Sequence, residues 1–528
     1  MRLQRNIGLI GLTFVAVSGV IGSGWLFAPQ LSAGLAGPAS LVAWAIGGVA
    51  MLLLALTFAE ICAMLPVAGG IARVPLFSHG NVVAMAMGWS AWIGYNVAAP
   101  IEVEAMLRYL VGEVDWLYVD YATKDLTAAG LAVVAGLLAL FTLVNAFGVR
   151  LFAYINTSIT WVKIAVPVTV TLVILADRFI PANMTQETSG GFMPFGWHGV
   201  LAAVSTGGVV FSFVGFRHAI DMAGEAKNPG FTVPAALILA VIVCFLIYAG
   251  MQVAFIGALS EADLAQGWGH LSLGHDYGPM AAIASVLGLL WLVSLLQVGA
   301  VLGPFGGGLV AVGSNGRLCF ALAQNGLFPS LFARLSSFGV PMKALLLNFA
   351  VGCLAIVIFD FEGLVALSGA AIVLSFIVGP IAVVVLRDRL PHRKRPFRMP
   401  MASVLSPIAF IIATMMVYWS GWDTVWPLGL GLLVGSLLFL ARSATGRIDA
   451  LDATQARWLI PYLGGLAILS YLGDFGGGLG LVPFGWDLLV CTLLGGATFL
   501  LAVRSGLEQE AVESYIQGEQ QLEERRLD

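Results

Sequence analysis

The sequence predicts an all-α polytopic membrane protein with about 14 transmembrane helices, arranged as an inverted five-plus-five repeat whose helices 1 and 6 are broken. Three observations predict it. Of the 528 residues, 59% are apolar and 10% are Asp, Glu, Lys or Arg, well under half the charged share of a soluble domain, so the apolar side chains have to face lipid. Fourteen apolar stretches are long enough to cross a bilayer, or nearly so. Two of them, five spans apart, are interrupted by glycine.

The stretches run over residues 7–33, 39–64, 82–108, 127–147, 151–176, 198–220, 231–257, 281–312, 344–359, 364–386, 403–421, 424–441, 459–474 and 485–503. A helix of about 20 residues crosses a hydrocarbon layer of about 30 Å. The first stretch is too long, and too closely followed by the second, for a cleaved signal peptide. With a cytoplasmic amino terminus, 20 of the 25 Lys and Arg residues fall inside, three (Arg108, Lys124 and Arg178) fall outside, and two (Lys163 and Arg217) lie within the membrane. The reverse orientation breaks the rule that Lys and Arg collect in cytoplasmic loops. Glu113, Asp120, Glu187 and Asp276 are among the acidic residues of the outer loops. The expected location is the cell membrane, with both termini cytoplasmic. The organisation is a transporter core at 1–400 (first repeat about 5–176, second about 198–386), additional helices at 401–504, and an acidic tail at 505–528 read as a solvated helix or disordered segment. The basic run from Arg387 to Arg398 reads as an orientation signal, with anionic headgroup binding as the alternative.

The first stretch carries G-V-I-G-S-G-W-L-F at 19–27, and the sixth carries S-T-G-G-V-V-F-S-F-V-G-F-R at 205–217. Each interior glycine weakens a helix by about 1 kcal/mol relative to Ala and lets the backbone open. Opened turns leave N–H groups free at one half-helix end and C=O groups free at the other, which suits a polar guest and is intolerable against lipid. A matched pair of such helices points to the binding site of a carrier. The competing reading is that these glycines only permit close helix packing, because others cluster at 303–308 and 476–480.

The string at 19–27 resembles the first-helix signature of the amino acid-polyamine-organocation transporters. Four further segments are similar to that family in the right order: A-E-I-C-A-M-L-P-V-A-G-G at 59–70, the stretch at 211–229 ending G-E-A-K-N-P, S-N-G-R-L-C-F-A-L-A-Q-N-G-L-F-P from 314 onward to Pro341, and T-W-V-K-I-A-V-P around Lys163. The resemblance covers roughly residues 5–400 and implies a LeuT-like core that moves amino acids or related cations by alternating access. It implies that the substrate carboxylate sits on main-chain N–H groups near Ile21, Gly22, Ser23 and Gly24. The ammonium would then meet carbonyls at Val17, Ser18 or Val20 and at Phe211, Ser212 or Val214. Phe211, Phe213 and Phe216, with Gly215 between the last two, would form a gate or an apolar wall. Glu60 and Glu225 would bridge the cytoplasmic gate.

Lys163 lies about 13 residues, or about 20 Å, from the inner end of its span, too deep for its amine to reach water. In similar transporters a lysine stands here where relatives bind sodium, so the expectation is proton coupling through Lys163, with a permanently charged structural amine as the alternative. Arg217 departs from the family, many of whose members have Glu after the G-F of helix 6. It either receives a substrate side-chain carboxylate, favouring acidic or small polar amino acids, or pairs internally with Glu102 or Glu104. His218 and Asp221 are candidates for a proton relay or for local bonding.

The net charge of −4 leaves no basic face for nucleic acid, and five scattered cysteines with no C-x-x-C pair argue against a disulfide scaffold or a metal site. Neither H-E-x-x-H, G-x-S-x-G nor a phosphate loop occurs, so no enzyme and no cofactor are expected. The expected partners are an amino acid, protons and the lipid bilayer. The sequence reading is a permease that couples amino acid uptake to protons, with an exchanger or a transport-defective sensor of the same fold as alternatives.

Overall fold

The computed structural model describes all residues except 1–6, 68–69, 111, 113, 120–124, 148, 186–189, 272, 274–277, 337–338, 445–451 and 526–528. Gly69 of the second motif and the loop residues Glu113, Asp120, Lys124, Glu187 and Asp276 lie outside the described residues. Among the described residues there are helices and two isolated bridges, Ile7–Ala226 and Tyr118–Leu126, but no strand.

The chain begins with α1 (Leu9–Val20), α2 (Gly24–Ala36), α3 (Ser40–Met64), α4 (Gly70–His79), α5 (Asn81–Tyr109), α6 (Ala128–Ala146) and α7 (Val149–Asp177). It continues through α8 (Gly196–Ser205), α9 (Val209–Phe213), α10 (Arg217–Asp221), α11 (Pro229–Ala258), α12 (Pro279–Val286), α13 (Leu290–Gln324), α14 (Met342–Ile358), α15 (Phe361–Phe376) and α16 (Val378–Arg389). The last five are α17 (Ala402–Trp419), α18 (Trp422–Ser443), α19 (Leu459–Leu472), α20 (Trp486–Arg504) and α21 (Gln509–Arg525). Helix occupies every one of the fourteen apolar stretches. Among the described residues, ten helical segments are long and apolar enough to cross a membrane, or eleven with the bent pair α8 and α9–α10 taken as one span. The shorter apolar helices are α1, α14 and α19. The chain is a multi-pass membrane protein.

Burial separates centre from rim. The apolar windows of α5 and of α15–α16 are 89% and 94% buried, whereas those of α6, α18 and α20 are 33% buried. Leu430, Leu433, Val434 and Leu437 of α18 and Leu354, Val357 and Ile358 of α14 are exposed, as lipid-facing side chains are. The buried centre is therefore the wall of the site, and the rim meets lipid.

Three elements depart from the sequence reading. The stretch expected at 281–312 is two helices, because Gly288 takes a positive φ of 73° and separates α12 from α13. α13 then runs on to Gln324 through the polar S-N-G-R segment, which looks like a helix end in sequence but has Asn315 buried. Residues 70–79, left as a connection, form α4, which packs on α5, α10 and α16. The tail is a docked helix with one solvated side: Val512 and Ile516 of α21 are buried, and the Leu507 N–H donates to the Ser78 carbonyl at 2.9 Å. Tyr515 donates to Asp452 at 2.6 Å, Asn81 donates to both, and Arg389 pairs with Glu508 at 3.2 Å. A repeating apolar side and a set of polar partners on other segments hold it there.

A carboxylate at the buried Val512 position has no partner, and burying it unpaired costs several kcal/mol. Val512→Asp is therefore expected to free α21, so that trypsin cleaves purified protein after Arg504 at about one-tenth of the wild-type protease concentration or less. Unchanged cleavage would mean that the helix is held elsewhere.

Candidate functional site

α1 ends where the Ile21 N–H donates to the Val17 carbonyl at 2.8 Å and the Gly22 N–H to the Val20 carbonyl at 3.0 Å. α2 restarts at Gly24, with Ile21, Gly22 and Ser23 buried between them. The sixth stretch is broken at residues 206–208, where Gly208 has a φ of 82° that favours glycine, and it bends by 41° between α8 and α9. A second irregularity, one 3₁₀ turn at Val214–Phe216, separates α9 from α10. Phe211, Ser212 and Phe213 thus form a short helix, and the break proper lies a few residues earlier, at the first glycine pair of the motif.

The two glycine clusters meet. A Cβ on Gly215 would strike the backbone of Gly19, one on Gly19 would strike His218, and one on Gly24 would strike Ser212. Close packing and breakage are both uses of these glycines: Gly19 and Gly215 allow the crossing, while Gly208 supplies the turn. Of the carbonyls expected to face an ammonium, the three at the first break already have donors. Val17 takes the Ile21 N–H, Ser18 takes the Lys163 ammonium at 2.5 Å, and Val20 takes Gly22 together with the Tyr248 hydroxyl at 2.9 Å. Tyr248 of α11 stacks on Trp44 with ring centroids 5.0 Å apart, and Phe213 meets both rings edge-on. Phe216 packs on Phe376, Phe211 is buried beside Gly369, and Val214 is buried too.

Glu102, named from sequence with Glu104 as an alternative partner for Arg217, lies instead beside the first break. Its side chain, 6% exposed on α5, fills the space beside Gly22 and Gly307, where a Cβ on either glycine would fall on the carboxylate. The Ser23 N–H faces it, and Lys163 is its nearest opposite charge. Glu104 points elsewhere and pairs with Arg108 at 2.7 Å, so neither glutamate is the partner of Arg217. The one available signal was G-P-F-G-G-G at 303–308, whose small residues on α13 make the notch for Glu102.

Arg217 is 2% exposed, and its guanidinium lies over the face of the Tyr95 ring. Its Nε and Nη1 have no hydrogen-bond acceptor among the described residues. Asp221, one turn on, contributes opposite charge, but its carboxylate takes the Ile71 N–H. His218 bonds across to Ser314 of α13 at 3.1 Å. At the end of α3, Glu60 accepts two hydrogen bonds from Arg387, at 2.8 and 2.5 Å, and one from the Met399 N–H at 2.7 Å, with Arg395 at 3.4 Å. It ties the end of α3 to the end of α16 and the loop beyond. Glu225 holds the start of the chain through its carbonyl, which takes the Ile7 N–H at 3.1 Å. Burial raises its carboxyl above the usual range, and Arg317 opposes that shift.

The site is a closed set of buried polar groups around two interrupted helices. It contains main-chain N–H groups of the first break, an amine, a carboxylate and a guanidinium. Among the described residues no group of His, Cys, Asp and Glu could hold a metal ion.

A family model for amino acid permease matches residues 7–434. The chain is similar to the glutamate/serine transporter AimA of Bacillus subtilis, 33% identical over 96% of this chain and 95% of that protein. It is also similar to the aspartate-proton symporter of the same organism, 34% identical over 97% of this chain and 98% of that protein. The branched-chain amino acid permease BcaP is a more distant relative, 25% identical over 84% of this chain. A family match over residues 7–434, with relatives at one-third identity over nearly the whole of both chains, establishes that the chain belongs to the amino acid permease family.

Proposed function

We propose that this permease moves acidic amino acids, and small polar ones less tightly, across the cell membrane by alternating access coupled to protons. The observation that carries the reading is Arg217: a guanidinium buried in the membrane with two nitrogen atoms lacking acceptors. Buried charge of this kind is destabilising unless a partner arrives, and a substrate side-chain carboxylate is the partner of matching geometry. Spacing supports this. Tyr95, under the guanidinium, and Glu102, beside the helix break, are seven residues apart on α5, about 10 Å along the axis. An extended glutamate with a hydrogen bond of about 2.8 Å at each end fits that interval. The two relatives at one-third identity are named for glutamate, serine and aspartate, which agrees with the reading.

In this reading the substrate carboxylate takes the N–H groups at Gly22 to Gly24, a place that Glu102 now borders. The ammonium draws on carbonyls of the two breaks. Lys163 donates to the Ser18 carbonyl in either state, but losing its proton turns a charge-assisted bond into a weaker one between neutral groups, so its proton controls how firmly α7 grips the break. The aspartate-proton symporter among the relatives makes the coupling plausible. The fourteen helical stretches are taken as spans, ten of them an inverted five-plus-five core, with both termini cytoplasmic and Glu60 and Glu225 bracing the inner gate.

Two measurements in proteoliposomes test this. Arg217→Met should lower glutamate and aspartate uptake by about 100-fold or more, while serine counter-flow persists within a few-fold. Equal loss of all three would remove Arg217 from substrate recognition. Lys163→Ala should keep glutamate counter-flow but lose accumulation driven by an inward proton gradient. A full response to the gradient would overturn the coupling role of Lys163.

A further inference from the structure

We propose that Tyr95 sets the preference between acidic and neutral amino acids by holding the Arg217 guanidinium whenever no substrate carboxylate is present. The proposal deepens the reading of Arg217 given above and rests on it. Tyr95 is 1% exposed on α5, and the guanidinium lies on its ring face. Among the described residues no acceptor takes Arg217 Nε or Nη1; Asp221 contributes opposite charge from one turn along, and the Tyr95 ring is the group that lies directly against the guanidinium.

A ring face attracts a desolvated cation, but less strongly than a bidentate carboxylate does. In pairing with a substrate side-chain carboxylate the guanidinium tilts off the ring face while staying beside Tyr95, and the cation–ring contact is given up. Serine, with a hydroxyl, leaves that contact in place. An interaction made in the free state and given up on binding weakens the ligand that displaces it and leaves other ligands untouched. The ring thus lowers the affinity for glutamate selectively and narrows the gap to serine.

A second observation concerns the far end of the same side chain. Among the described residues the Tyr95 hydroxyl has no hydrogen-bond partner, and Tyr95 borders a small pocket between α5, α6, α13 and α14. Asn96, Asn315 and Asn348 line that pocket, each with amide atoms also unpartnered. The ring is held by its contacts and by no hydrogen bond, so it can give way when the guanidinium moves. Tyr95 is in this sense a positioning residue that acts through Arg217.

The test is the ratio of 1/KM for glutamate to 1/KM for serine, measured in proteoliposomes, because the ratio is insensitive to the amount of folded protein. Tyr95→Leu and Tyr95→Met are made in parallel so that one well-folded variant suffices. Either should raise the ratio by about tenfold, since the guanidinium then has no ring to leave. Tyr95→Phe keeps the ring and should keep the wild-type ratio within about twofold. In an Arg217→Met background, Tyr95→Leu should leave the ratio where Arg217→Met alone puts it. A ratio that stays fixed or moves toward serine in Tyr95→Leu, or that moves equally with and without Arg217, overturns the proposal for Tyr95. If Arg217→Met alone keeps the wild-type ratio, the reading of Arg217 fails first and the proposal falls with it.

Discussion

A peptide group inside hydrocarbon has to find its partner within the protein, and residues 17–24 leave more such groups without helical partners than a regular helix does. The rest of the core is arranged around that constraint. α7 sends an ammonium to Ser18, α11 a hydroxyl to Val20, and α5 a carboxylate to the turn at Gly22 and Ser23. α9 packs against Gly24, and α10 packs against Gly19. Removing any one of these donors or acceptors leaves a buried polar group unpaired, at a cost of about 1–3 kcal/mol. The interrupted helix is thus the hub on which five other segments converge.

The charges at that hub form two systems. Lys163 and Glu102 sit together beside the first break, opposite in sign and with backbone partners. Arg217 sits about 10 Å away along α5 with an aromatic ring where an anion would be stronger. Taking ions out of water costs several kcal/mol each even after relaxation. A membrane protein selected for stability alone would have little reason to retain three of them, whereas a carrier for a zwitterion with a second negative group needs complementary charges at both ends of its guest.

The all-helical, multi-pass character and the interruptions at 21–23 and 206–208 were legible in the sequence because apolar length and glycine placement are local properties. So was Lys163, since an amine that deep in a span is conspicuous. Glu102 was not legible as a neighbour of the first break, because its role depends on Gly307, two hundred residues later and on another helix. The sixth break lay at Gly208, earlier than the motif suggested, since either of two glycine clusters could have opened and only the backbone turn decides between them. α4 was missed because its ten residues hold Arg73, Pro75 and His79, which read as a connection until neighbouring helices bury all three. The continuation of α13 past Asn315 escaped notice for the same reason.

The docking of α21 bears on how the molecule is made. Ser78 of α4 and Asn81 at the start of α5 emerge early in synthesis, but their partners Leu507 and Tyr515 leave the ribosome only after every other helix has been inserted. The surface where α4 meets α5 is therefore finished last. Until then Ser78 and Asn81 lack these partners, and a nascent chain that stalls within the final helices carries an unfinished surface that quality-control proteases can recognise.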